Sequence, residues 1–252
     1  MGRRAASFCI GSGLALAAAF PGVADPRLDE VVYSPYVQNG VGEFEARGAQ
    51  ALGGSLDGAM TTVFEGEYGV SDRLSLATVT TVDRAAGEGA RLAGIGLESI
   101  YYLGRIPRVG IDTGLYLEYT HGLTGDGDVA EGKLLLAKTA GRFQGLVNLI
   151  VEEPIAAPSG HGYAGYGYAV SATWQAWGAL RLGAESFGDF GDDHAFLGRQ
   201  GAYVGPQVKW EGRLARLPVD LGIDAGWLKS IGTSRAEADS EARIALELEH
   251  RF

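Results

Sequence analysis

Apolar and polar residues alternate with a period of two along most of this chain, and that alternation limits what it can build. The last segment is the clearest: Ile244, Leu246, Leu248 and Phe252 fall on one face, and Glu247, Glu249 and Arg251 on the other. His250 interrupts the apolar face near its end. Leu74, Leu76, Thr78, Thr80 and Val82 form a second apolar face. Val109, Ile111, Thr113, Leu115, Leu117 and Tyr119 form a third, backed by Asp112, Tyr116 and Glu118. Side chains on a strand point to opposite faces in turn, so a period of two is the signature of a strand with two different surroundings.

Twelve such stretches are found, at 40–48, 59–70, 74–83, 91–103, 109–120, 131–140, 142–152, 163–176, 178–187, 201–212, 218–229 and 241–252. The sixth is irregular, because Leu134, Leu135 and Leu136 run together and Lys138 lands on the apolar face. In the fourth, Ile100 falls on the polar face. The connections alternate between short (71–73, 104–108, 141, 177, 213–217) and long (49–58, 84–90, 121–130, 153–162, 188–200, 230–240). The long set is rich in Gly, Asp and Ser. Alternating short and long links are those of an up-and-down meander. A dozen antiparallel strands rarely stay open as one sheet, and closure removes the unpaired edges. Glycine supports the strand reading: it makes up 40 of 252 residues, more than twice a usual share of about 7%. Gly165 and Gly167 alternate with Tyr166 and Tyr168, and glycine on an inner face lets a wall curve.

The start of the chain is different. Arg3 and Arg4 precede an apolar stretch from Ala5 to Phe20, and Pro21-Gly22-Val23-Ala24 puts small residues before Asp25. This is the layout of a secretory leader cut after Ala24. The organisation expected is a leader over 1–24, a periplasmic segment over 25–39 and a barrel over 40–252. The single cysteine, Cys9, lies in the leader, so neither a disulfide framework nor a cysteine-built zinc site is available. A net charge of -10 argues against a nucleic-acid partner.

The apolar face of a soluble barrel points inward; that of a membrane barrel points outward, with the polar face lining a lumen. Most of these stretches hold enough residues to cross a bilayer at a tilt of about 45°. Aromatic residues stand near strand ends, among them Tyr68, Tyr101, Tyr119, Trp174, Trp210, Trp227 and Phe252, where the interface favours amphipathic rings. The polar face carries Glu43, Glu45, Arg47, Glu65, Glu67, Glu98, Asp112, Glu118, Arg181, Glu185, Lys209, Glu211, Glu247 and Glu249. With Glu152, Asp220 and Asp224, and with the bases Lys133, Arg142, Arg243 and Arg251, the inward set holds fourteen acids against seven bases. The expected fold is all-β: a closed antiparallel up-and-down transmembrane β-barrel of about twelve strands.

With Phe252 as its last residue and Ile244, Leu246 and Leu248 at alternate positions before it, the chain resembles Gram-negative outer-membrane β-barrel proteins. Tyr33-Ser-Pro-Tyr-Val37 followed by Gly42-Glu-Phe-Glu-Ala-Arg47 is similar to the start of a group of uncharacterised proteobacterial barrels. The resemblance implies location in the outer membrane, with its lipid and the outer-membrane assembly machinery as partners. The machinery would read Ile244, Leu246, Leu248 and Phe252.

The residues supply little for catalysis. An outer-membrane lipid hydrolase needs Ser, His and a polar orienter together; the four histidines are His121, His161, His194 and His250, and Ser159 is near His161 only in sequence. Asp126-Gly127-Asp128 and Asp189 with Asp192 and Asp193 are hard oxygen ligands on loops, but a full calcium loop is missing and solvated turns account for them. No cofactor or metal is expected. A lumen rich in carboxylates favours cations, which points to a narrow passive channel for small, preferably cationic solutes. The alternative is a plugged, non-conducting structural or interaction barrel whose outer loops bind partners.

Overall fold

A computed structural model describes residues 28–125, 127–155, 162–198, 200–213 and 218–252. The leader at 1–24, Asp126, Ser159 and His161 lie outside the described residues. The twelve strands are β1 (Val41–Leu52), β2 (Met60–Gly69), β3 (Leu74–Arg84), β4 (Arg91–Ile106), β5 (Ile111–Gly122), β6 (Val129–Ala140), β7 (Phe143–Pro154), β8 (Gly165–Trp177), β9 (Leu180–Asp192), β10 (Gly201–Arg213), β11 (Val219–Gly232) and β12 (Ser240–Arg251). Each pairs antiparallel with its sequence neighbours, and β1 pairs with β12 from Val41↔Arg251 to Leu52↔Ser240, closing the barrel. The expected fold is the one observed; β1, β5, β6, β7, β9 and β11 run longer at their loop ends than the alternation alone suggests, β2 and β8 start slightly later there, and β4 extends at its turn end.

The apolar face points outward. Leu76, Leu97, Leu117, Trp174, Trp227, Ile244, Leu246 and Leu248 are exposed on the outside, while Ser75, Glu98, Lys133, Asn148 and Glu185 are buried within. An exposed apolar belt around a polar interior is the arrangement that lipid selects. Short turns and both ends of the barrel chain lie at one rim, the periplasmic one by the rule that outer-membrane barrels keep short turns there. In two of these turns Gly141 and Gly178 take positive φ, at 62° and 54°, where a primed hairpin turn needs glycine at its first central position. His250 is also placed by this rim. Its Nδ1 lies 2.8 Å from the Pro218 carbonyl, and its ring stands edge-on to Phe252 at 4.7 Å.

One segment departs from the expected layout. Residues 28–39, expected in the periplasm, run up inside the barrel from the start of β1. They have no strand ladder; side chains of the wall hold the backbone at Asp29, Glu30 and Tyr33, and the segment's own Glu30 and Ser34 accept from the N–H groups of Val31 and Tyr36. Tyr33 N–H donates to Asn148 Oδ1 at 2.7 Å, and Asn148 Nδ2 donates to the Tyr33 carbonyl at 2.9 Å. The side-chain amide thus stands in for a neighbouring strand. Pro35 is fully buried against Gly114, where an added Cβ would come within 2.8 Å of the Pro35 ring.

The outward belt sets an expectation. Leu117 is 61% exposed midway along β5, so Leu117→Arg should lower folding stability in vesicles by about 2–4 kcal/mol. Ala245 lines the lumen, and Ala245→Arg should cost far less in the same urea titration.

Candidate functional site

The lumen is the concave site of this molecule, and the inserted segment divides it. In the lower, periplasmic half the segment lies against β4, β5 and β7. The Tyr36 hydroxyl donates to Asp112 at 2.9 Å, beside Tyr102, which donates to the same carboxylate at 2.8 Å. Tyr33 packs on Tyr116 with ring centroids 4.6 Å apart. In the upper half the segment crosses toward β9, β11, β12 and β1. Leu28 packs against the cluster that holds Phe187 and Leu228, Arg243 of β12 donates to the Glu30 carbonyl, and Arg47 of β1 donates to the Asp29 carbonyl at 3.1 Å. Glu30 reaches back across to Lys133 on β6, with Nζ and Oε1 2.5 Å apart and both side chains about 3% exposed. Lys133 also meets Glu131 at 3.0 Å and stands 4.6 Å from the ring centres of both Tyr33 and Tyr116.

Two cavities flank this diagonal. The lower one holds about 640 Å³ and is lined by Glu43, Glu45, Glu65, Glu67, Glu211, Glu247 and Glu249 with Asp220, Asp224 and Lys209. The upper one holds about 330 Å³ and is lined by Asp29, Glu30, Arg47, Asp83, Glu118, Glu131, Lys133 and Glu152, with Tyr33 and Tyr116. Tyr33 borders both. Next to Tyr33, Arg47 bonds Glu45 at 2.5 Å and Glu65 at 2.7 Å and donates to the Tyr33 hydroxyl at 3.0 Å. This knot is the waist of the lumen.

The acidic wall has an unusual register. Glu43 stands directly opposite Glu249 on one side and Glu67 on the other; Glu45 stands opposite Glu247 and Glu65. Like charges placed so destabilise a sheet. Arg47 answers the upper row. Among the described residues, no base lies within salt-bridge distance of Glu43, Glu67, Glu247 or Glu249. Glu43, Glu45 and Glu247 bring one carboxylate oxygen each within 4.8 Å of one another.

The remaining expected lumen residues are held in wall contacts. Arg181 donates to Thr173 at 2.9 Å and to the Arg142 carbonyl at 3.2 Å. Glu185 accepts from Gln207 at 2.8 Å, and Lys209 pairs with Asp224 at 2.9 Å. Glu98 is buried beside the Tyr33 hydroxyl, and Asp112 is held by Arg105 and the two tyrosines. Ile244, Leu246, Leu248 and Phe252 all face outward and are exposed, Phe252 at 80%. Sequence reasoning missed Glu30, Tyr33 and Asn148. The signal for them was the set of apolar residues on the polar face: Ile100, buried with Tyr116 and Leu135, packs against Tyr33 and Val37.

At the outer rim, His121 Nδ1 lies 2.7 Å from Asp128, which also accepts from the Tyr119 hydroxyl at 2.6 Å. The tyrosine bond holds the Asp128 carboxyl below its ordinary range. Asp192 accepts from the backbone N–H of His194 and Ala195, the work of a turn residue.

The seat of the segment is testable. Asn148→Leu orphans two backbone groups, so barrel stability should fall by about 2–4 kcal/mol, at roughly 1–3 for each group. Lys133→Met should cost about 3–5 kcal/mol by breaking the buried Glu30–Lys133 pair, and adding Glu30→Gln should recover part of that loss in the same unfolding series.

No family model matches the sequence, and no curated protein does. Among solved structures, the chain is similar to the COG4313 outer membrane channel of Pseudomonas putida F1, at 12% identity over 91% of this chain and all of that one, with a TM-score of 0.56. The outer membrane protein Omp33 of Acinetobacter baumannii matches at 11% identity over 87% of this chain and all of that one, with a TM-score of 0.40. The first likeness, like the belt and the closed meander, is one of architecture: the chain has the fold of a Gram-negative outer-membrane β-barrel.

Proposed function

We propose that this barrel is a narrow outer-membrane channel for small, preferably cationic solutes, with its own N-terminal segment as the internal constriction. The observation that carries this is the pair of polar cavities, about 640 and 330 Å³, on either side of residues 28–38 in one lumen. A purely structural barrel has no need of so much polar space, whereas a passage interrupted at one waist leaves it above and below. The unanswered carboxylates Glu43, Glu67 and Glu249 set the sign of the solute. A cation entering the lower cavity relieves their mutual repulsion, and an anion adds to it. The outer-membrane lipid and the assembly machinery are the partners of this reading. Neither a cofactor nor a catalytic group has a part in it.

The inserted segment also favours the second reading, a non-conducting barrel whose outer loops meet partners. Current through the refolded barrel in a planar bilayer separates the two. Steady or gated steps with a cation-side reversal potential under a salt gradient support the channel. Silence from a folded, heat-modifiable barrel supports the plugged form. In the conducting case, Glu43→Gln, Glu67→Gln and Glu249→Gln together should move the reversal potential toward zero, while Asn148→Leu should lengthen open times without changing its sign.

A further inference from the structure

Three successive short turns at the periplasmic rim carry cations that the barrel does not neutralise. Arg73 ends the β2–β3 turn, Arg108 lies in the β4–β5 turn, and Arg142, expected on the lumen face, lies instead in the β6–β7 turn. Lys138, near the end of β6, points away from the lumen, since Lys133, Leu135 and Ala137 of the same strand are buried inside it. All four are exposed. Among the described residues, none has a side-chain hydrogen bond or ion pair, whereas Arg105 beside them is paired with Asp112. The only exposed acid in these three turns is Asp72. A chain with a net charge of -10 thus keeps a row of free cations along half of one rim.

Their depth is marked by their neighbours. Tyr68, Tyr101 and Phe143 are exposed on the outer face at the same strand ends, and such rings settle at the headgroup boundary. Ile106 and Val109 flank Arg108 and are exposed as well, as befits a turn resting on lipid. Arg73, Arg108 and Arg142 stand beyond the rings, at the level of the phosphates, and Lys138, two residues inward of Phe143 on the β6–β7 ladder, has a stem long enough to bring its ammonium to that level. We propose that this half-collar binds the phosphates of anionic glycerophospholipids in the periplasm-facing leaflet, in preference to zwitterionic ones. The occupant is argued from continuity with the lipid-facing belt and from charge. Basic side chains at a membrane surface attract anionic headgroups, each by about five-fold. The lumen has no part in this proposal, which stands whether or not the barrel conducts.

The test is retention of lipid by the refolded barrel chain, purified from micelles holding equal phosphatidylglycerol and phosphatidylcholine and analysed by native mass spectrometry. The unaltered barrel should retain phosphatidylglycerol over phosphatidylcholine by about five-fold or more. R73Q/R108Q/K138Q/R142Q should bring the ratio near one while keeping heat-modifiable mobility. If that variant does not fold, the pairs R73Q/R108Q and K138Q/R142Q should each lower the ratio in part. R91Q/K229Q/R235Q, which removes exposed cations from the other end, should leave it unchanged. A ratio near one in the unaltered barrel overturns the proposal. So does an equal loss in the two multiple variants, which would make net charge rather than the collar responsible.

Discussion

The hydrocarbon core of a membrane offers a backbone no water, so each N–H and C=O of a spanning strand must find its partner on another strand. For a meander of twelve strands this demand comes down to one seam, the β1–β12 ladder, where the first and last strands meet in register along their lengths. Closure there determines the rest. With the ring shut, one face of every strand looks at lipid and the other at a shared interior. A one-residue slip would turn every apolar side chain inward. The belt of exposed leucines, the glycine turns and the carboxylate-rich lumen all follow from a ring with no edge.

The interior it encloses is not uniform. The wall from β10 through β12 to β2 is crowded with acids, two rows of them facing like charges across the ladder. The wall from β4 to β7 is more apolar and offers Tyr116, Leu135 and Asn148 as a seat. The inserted segment uses this difference. It rests its apolar side chains and its one amide-paired residue on β4–β7 below, then crosses to Arg243 and Arg47 above, so each cavity is left on the side the segment has vacated. The Arg47–Tyr33–Glu65 knot marks the crossing.

Most of the architecture was legible in the sequence because period-two alternation is a direct consequence of a wall with two solvents. The strand number, the closure and the inward position of Glu43, Glu67 and Glu249 needed nothing more. The segment over 28–39 was not legible, because it has no periodicity: its backbone is satisfied by side chains such as Asn148, far away in the chain, and no local pattern announces that. The traces it leaves are breaks in the alternation. Ile100 on a polar face was an irregularity of the fourth stretch until Tyr33 and Val37 were found against it, and Leu135 in the run of three leucines belongs to the same small core. Apolar residues on a lumen face mark where something other than water stands. Arg181 and Glu185 show the opposite limit, since a polar residue can face inward and still be spent on bracing the wall.

The seat of the N-terminal segment is shared among strands made at different times. Residues 28–39 precede every strand in synthesis, and their contacts are supplied by Arg47 of the first strand, Lys133 and Asn148 of the middle ones and Arg243 of the last. The seat is therefore incomplete until the twelfth strand arrives. The barrel wraps its own beginning, and the same event that seals the wall also fastens what lies within it, so a closing intermediate would hold a loose tether where the finished molecule holds a fixed one.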